Sequence, residues 1–200
     1  MNQIIIDSSL TQTCVALMEN EELVEIYIER KNHCRTVGNI YKGRVTNVLP
    51  GMQAAFVDIG LKKNAFLYVK DAIFPVHVEQ FKEGKVSIKD ILKSGQEIVV
   101  QVVKEPMGAK GPRVTTHLTL PGKYLVLMPY NNEVGISRRI EDEEERKRLK
   151  NLVDELKPEQ MGLIVRTEGM GKEKDDFQED LNNLIKIWEN IEREKKLGFA

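Results

Sequence analysis

Residues 38–71 read GNIYKGRVTNVLPGMQAAFVDIGLKKNAFLYVKD, and the fold turns on how this stretch divides. Three apolar-rich runs, IYKGRVTNV, QAAFVDI and NAFLYV, are separated by Pro50-Gly51 and by Gly60, residues that punctuate strands. Two further runs, QEIVVQVVK and RVTTHLTL, follow a turn signal at Ser94-Gly95. Short strands with frequent glycine turns predict a small β-barrel or sandwich. The intervening FPVHVEQFKEGKVSIKD reads as a surface excursion.

Outward from this core, the pattern changes on both sides. QIIID, TCVALME and ELVEIYIE predict three strands, the last two joined by a polar turn at Asn20-Glu21, and RKNHCRTVG reads as a linker. Beyond Pro121, KYLVLMP is a strand, GISRR a short connection, and EDEEERKRLKNLVDELK a helix with Leu149, Leu152, Val153 and Leu156 on one face. Acidic residues crowd its first turn, where the helix dipole favours them, and Pro158 ends it. MGLIVRT returns as a strand. A last helix spans roughly Lys174 to Leu197, with Phe177, Leu181, Leu184, Ile185, Trp188 and Ile191 on its apolar face. The whole is α+β.

Composition excludes several classes. No apolar run approaches the roughly 20 residues of a membrane span, and MNQIIIDSS lacks the basic n-region of a secretory signal, so a cytoplasmic location is expected. Cys14 and Cys34 do not make a disulfide framework or a C-x-x-C motif, and with His33, His77 and His117 they form no zinc-ligand spacing. A net charge of −1 means that any affinity for nucleic acid must come from local basic patches.

Two places could carry such chemistry. Phe56 and Phe66 lie on successive predicted strands near Lys42, Arg44, Lys62 and Lys63. Aromatic faces flanked by cations suit stacking on single-stranded nucleic acid; the alternative is two core phenylalanines with a solvated basic rim. The other place is LIVRTEGMG at 163–171, a strand that delivers Arg166 and Thr167 to its exit beside a glycine turn. A guanidinium and a hydroxyl there could hold an anion. GMGK is not the end of a Walker A loop, because Glu173 stands where Ser or Thr is needed, nor is it a dinucleotide fingerprint, because Lys174 replaces the last glycine.

The 38–71 stretch together with GQEIVVQVVKE resembles an S1-type RNA-binding domain, an OB-fold barrel, in the form found within the ribonuclease E/G family of bacterial endoribonucleases. YLVLMP, GISRRIE and GLIVRTEGMG extend the resemblance, as do the opening strands and the tryptophan-bearing helix. It implies that residues 1–36 are the first part of a split RNase H-like subdomain, 37–117 the inserted barrel and 118–200 a mixed α/β 5′-sensor region. It further implies that Phe56, Phe66 and Lys110 contact RNA. Gly122, Val126, Arg138, Arg166 and Thr167 would form the pocket for a 5′-monophosphate end.

The implied partner is single-stranded RNA, in RNA processing and decay, and the full-length family protein is a homo-oligomer. Family catalysis resembles magnesium-assisted hydrolysis by paired aspartates, and a C-P-x-C zinc motif joins protomers; both motifs are missing from these residues. The expectation is an N-terminal portion that binds RNA without cutting it. Two alternatives stand beside it. One is a self-contained metal-dependent nuclease using Asp7, which follows III where RNase H enzymes place a first metal ligand. The other is a protein-docking module of an RNA-processing assembly.

Overall fold

The computed structural model describes residues 2–30, 36–72 and 87–197. These form two compact units that divide between Thr36 and Val37. His33, Cys34 and His77, weighed above as metal ligands, lie outside the described residues, as does most of the excursion after Phe74.

The first unit is an antiparallel three-stranded sheet in the order β1 (Asn2–Ser8), β2 (Gln12–Glu19), β3 (Glu22–Arg30). Asn20 and Glu21 both adopt positive φ, 49° and 70°, the backbone of a tight hairpin turn whose twist matches its strands. Register places Ile6, Val15 and Tyr27 on one face and Ile5, Ala16 and Ile26 on the other. Both faces are thus apolar.

In the second unit, five strands close into a barrel: β4 (Ile40–Leu49), β5 (Ala54–Asp58), β6 (Ala65–Tyr68), β7 (Glu97–Lys104) and β8 (Arg113–Thr115). The closed order is β4-β5-β6-β8-β7, with β6 and β8 parallel and the other pairs antiparallel. That is a five-stranded Greek-key barrel of the OB type. The first strand serves two neighbours. Its first half pairs with β7 and its second half with β5, and the register shift between Val45 and Asn47 supplies the bend.

Val45, Ala55, Val57, Leu67, Val100, Val102 and Val114 fill the interior. Ile88 and Leu92 close it, each excluded from water and contributing about 1.5–3 kcal/mol by burial. This corrects the reading of residues 74–90 as wholly a surface excursion. Ser87 and Asp90 make a capping box for the short helix α1 (Ile88–Ile91), and that helix inserts into the core.

The chain then builds a four-stranded sheet ordered β11-β12-β10-β9: β9 (Leu120–Pro121), β10 (Leu125–Met128), β11 (Val134–Ile136) and β12 (Gly162–Val165). Strand β11 overlaps the stretch GISRR, expected to be a mere connection. Its three residues gain strand geometry by parallel pairing with β12, which local sequence does not reveal. Between β11 and β12 runs α2 (Glu143–Leu156), where Asp142 caps the N–H groups of Glu144 and Glu145. After β12 comes α3 (Lys174–Leu197). Leu149 and Val153 of α2 and Phe177, Leu181, Leu184 and Trp188 of α3 pack onto Leu125, Leu127, Leu163 and Val165.

Both helices therefore cover one face of this sheet. Buried Gln101 links the barrel to it, donating to the carbonyls of Gly38 and Thr119 and accepting from the Thr119 N–H, each at 2.9 Å. Its amide is satisfied on both ends, which removes the cost of burying it.

Candidate nucleic-acid interface

Strand alternation decides the orientation of the two barrel phenylalanines. Ala55 and Val57 on β5, and Ala65 and Leu67 on β6, point inward, so Phe56 and Phe66 point outward. They are a directly opposed cross-strand pair, half-buried, with ring centroids 6.0 Å apart at 68°. The core alternative for these rings is thereby excluded. An edge-to-face pair on a barrel wall leaves ring surface for a planar ligand.

Three of the four cations the sequence placed near these rings are engaged within the chain. Lys42 and Arg44 both pair with Glu97, at 3.0 and 3.2 Å, and their field holds that carboxyl below its usual pKa. Lys63 donates to the Gly108 carbonyl, tying the loop before β6 to the hairpin Met107–Lys110. Gly111 lies against the same loop, where a Cβ would stand 2.0 Å from the Asn64 carbonyl oxygen. Lys110 is exposed at the end of this anchored hairpin. Arg113, opposite Phe66 in register, is engaged by Asp71 at 2.7 Å.

The second locus lies at one end of the four-stranded sheet. Along β12, Leu163 and Val165 point into the core, while Ile164 and then Arg166 share the opposite face. Val126 of β10 is opposite Ile164, and Gly135 of β11 lies on its other side. Past Val165 three loops converge. The Arg166 N–H donates to the Tyr124 carbonyl and its guanidinium to the Gly122 carbonyl. The Ser137 N–H donates to Val165, and the Ser137 and Thr167 hydroxyls are 3.1 Å apart. Arg138, next to Ser137, is exposed and has no ion-pair partner among the described residues.

Gly122, Arg166, Thr167 and the turn bearing Arg138 are therefore brought together, with Val126 on the adjoining sheet surface. Arg166 is not a free fork, however. Besides Gly122 it has Glu168, whose carboxylate is 3.5 Å from its Nε. An incoming anion would displace an acid already resident.

The helices behind the sheet hold all three loops. Asp180 of α3 accepts from the N–H groups of Lys123, Tyr124 and Leu125 at 2.8–2.9 Å. Arg146 of α2 donates to the carbonyls of Ser137 and Ile140, both at 2.9 Å. Glu145 makes a two-pronged pair with Arg148 at 2.7 and 2.9 Å and accepts from the Gly171 N–H at 2.8 Å. Those contacts hold its pKa down to about 2, against an ordinary 4.5. Arg148 also reaches the Lys172 carbonyl at 3.0 Å. The glycine turn after Thr167 is thus packed in place: Gly169 is buried against Val165 and the Phe177 ring.

The residues that converge past β12 are those the sequence singled out, whereas those that hold them were missed. Glu145 and Arg148 stand at the i,i+3 spacing of a helical ion pair, a visible signal. Asp180 gave none. At the other end of β10 lies a cleft of about 590 Å³ beside Tyr130 and Trp188, whose Tyr130, Glu192 and Lys195 polar groups bond to one another.

Residues 119–198 match the model of the Ribonuclease E/G family. Ribonuclease G of Haemophilus influenzae is 48% identical over 199 residues, and ribonuclease G of Escherichia coli K12 is 46% identical over the same length; each match covers 97% of this chain. The chain belongs to the ribonuclease E/G family. Ribonuclease E of Nostoc is 45% identical over 90% of the chain. The chain spans about 40% of the length of the ribonuclease G relatives and 25% of the Nostoc protein. The solution structure of GSP13 from Bacillus subtilis overlaps 40% of the chain at 23% identity and a TM-score of 0.29, too slight a likeness to bear on the fold.

Ribonuclease E/G family membership implies magnesium and zinc, and these residues can be tested for both. Among the described residues, no group of three His, Cys, Asp or Glu side chains is placed to hold a metal ion. Asp7 lies near the end of β1, opposite Cys14 and exposed. His117 bonds through its ring to the Lys70 carbonyl at 3.1 Å. No helix among the described residues is long and apolar enough to cross a membrane.

Proposed function

We propose that this chain is the RNA-binding and 5′-monophosphate-sensing portion of a ribonuclease E/G-type endoribonuclease acting on single-stranded RNA. The observation that carries the reading is the convergence of Arg166, Thr167 and the Arg138 turn past the end of β12, each loop anchored from behind by a helix. A terminal monophosphate is compact and nearly dianionic, so a guanidinium and a hydroxyl on fixed backbone suit its oxygens. Arg166 and Thr167 would bind the phosphate, Arg138 would add a second cation, and Val126 would offer an apolar surface to the first nucleotide. Gly122 supplies the carbonyl that orients Arg166.

The barrel is read as S1-type, with Phe56 and Phe66 stacking bases and Lys110 meeting the backbone. The three domains are taken as 1–36, 37–117 and 118–200. The apolar residues on both faces of the β1–β3 sheet fit a split RNase H-like subdomain completed by other residues, because such a sheet needs cover on both sides. Magnesium-dependent cutting and zinc-linked homo-oligomer formation, in the cytoplasm, would belong to the full-length protein.

The test is fluorescence anisotropy with two single-stranded RNAs of one sequence, ending in 5′-monophosphate or 5′-hydroxyl. Arg166→Ala should abolish the advantage of the phosphorylated RNA. An advantage that persists in Arg166→Ala would refute the assignment.

A further inference from the structure

Gly122 belongs to the pocket by resemblance, which suggests that it is glycine so that the phosphate can approach. The geometry points to another reason. A Cβ built on Gly122 would stand 2.6 and 2.7 Å from the two carboxylate oxygens of Asp180. Real Cβ atoms do not make such contacts, and Gly122 is not among the residues with positive φ, so space rather than backbone conformation demands glycine here.

That carboxylate is the acceptor for the Lys123, Tyr124 and Leu125 N–H groups, a set of three consecutive donors from one loop. The same loop presents the Gly122 carbonyl to the Arg166 guanidinium and the Tyr124 carbonyl to the Arg166 N–H. We propose that Asp180 is a positioning residue for the anion pocket: its carboxylate occupies the space left open at Gly122, fixes the 122–125 loop and thereby sets the direction of the Arg166 fork. The proposal rests on the 5′-end reading for its consequence in RNA binding, but its geometric half is independent of any ligand.

The chain from Asp180 to the pocket runs through charge-assisted hydrogen bonds to the 122–125 loop, which otherwise holds itself by the Gly122 N–H to Leu125 carbonyl bond at 2.8 Å. With the carboxylate removed, the loop loses its shared acceptor, and the Gly122 carbonyl is free to leave Arg166. The guanidinium then falls to Glu168, its other partner. Phosphate recognition weakens without any residue that touches phosphate having changed.

A double-mutant cycle on Gly122→Ala and Asp180→Ala tests this, with Asp180→Ser, which also vacates the space beside residue 122, if the alanine form does not fold. The first readout is the thermal midpoint. Gly122→Ala alone should lower it by about 4 °C or more, but by less than about 1 °C when Asp180 is already alanine or serine. An equal drop in both backgrounds would overturn the claim that Asp180 is what Gly122 accommodates.

The second readout is the ratio of affinities for 5′-monophosphate and 5′-hydroxyl RNA, which a general loss of folded protein does not change selectively. Asp180→Ala or Asp180→Asn should reduce it by about tenfold, the effect of misdirecting one charge-assisted pair. A full ratio in both variants would overturn the positioning role. If the unmutated chain shows no preference, the 5′-end reading fails and the positioning role with it, while the thermal cycle still decides why residue 122 is glycine.

Discussion

Glu168→Gln offers a gain of function, which an unfolded or damaged protein cannot imitate. The Glu168 carboxylate sits 3.5 Å from Arg166 Nε, with 58% of its side chain exposed. A phosphate bound by Arg166 and Thr167 would share that neighbourhood with a like charge. Taking about 6 Å between the groups and a water-like dielectric, each pair of unit charges costs about 0.7 kcal/mol. A dianion doubles this to about 1.4 kcal/mol, and salt screening reduces it by about half in ordinary buffers. Neutralising Glu168 should therefore raise affinity for 5′-monophosphate RNA by roughly three- to tenfold at low salt. The gain should shrink as salt rises, and 5′-hydroxyl RNA should gain less. Anisotropy titrations at two ionic strengths measure both effects. Unchanged or weaker binding of phosphorylated RNA by Glu168→Gln would refute the idea that this acid and the phosphate compete for Arg166.

Three further outcomes follow from the same geometry. Arg166→Lys keeps a charge but cannot serve both the Gly122 carbonyl and a phosphate, so it should lose about 1.5 kcal/mol, or about tenfold, in 5′-monophosphate affinity. Phe56→Ala or Phe66→Ala should weaken single-stranded RNA binding by about 1–3 kcal/mol whatever the 5′ end, as measured by the same titrations. Glu145 has a folded pKa of about 2, below its ordinary 4.5, so its stabilisation is complete above pH 4.5 and is lost as pH falls towards 2. Allowing for the part-exposed Arg148, Glu145→Gln should remove about 1–2 kcal/mol at pH 7 and less at pH 3, read by urea denaturation at both values.

The sequence made some of this legible and hid the rest for physical reasons. The barrel strands could be read because glycine and proline turns bound them and because alternation survives on a one-sided wall. The sidedness of Phe56 and Phe66 could not, since the interior here uses alanines at 55 and 65 and turns the larger apolar residues outward. Ile88 defeated the reading of its segment because a four-residue helix has no period to detect. Strand β11 exists through its parallel partner, so Val134-Gly135-Ile136 carries no strand signal alone.

The candidate site past β12 divides in the same way. Arg166 and Thr167 were visible because chemistry-bearing residues at a strand exit are adjacent in sequence. Their supports are distant: Asp180 reaches a loop 55–57 residues away, and Glu145 reaches Gly171 across 26. Glu168 was in plain view, yet only the folded geometry pairs its carboxylate with Arg166.

The central claim is that the pocket past β12 reads the chemical state of an RNA 5′ end. Its most direct test is the ratio of affinities of the unmutated chain for 5′-monophosphate and 5′-hydroxyl forms of one single-stranded RNA, measured at fixed salt. A preference for the phosphorylated end of about tenfold is expected, the value of one charge-assisted phosphate contact at a part-exposed site. Equal affinity for the two ends would contradict it.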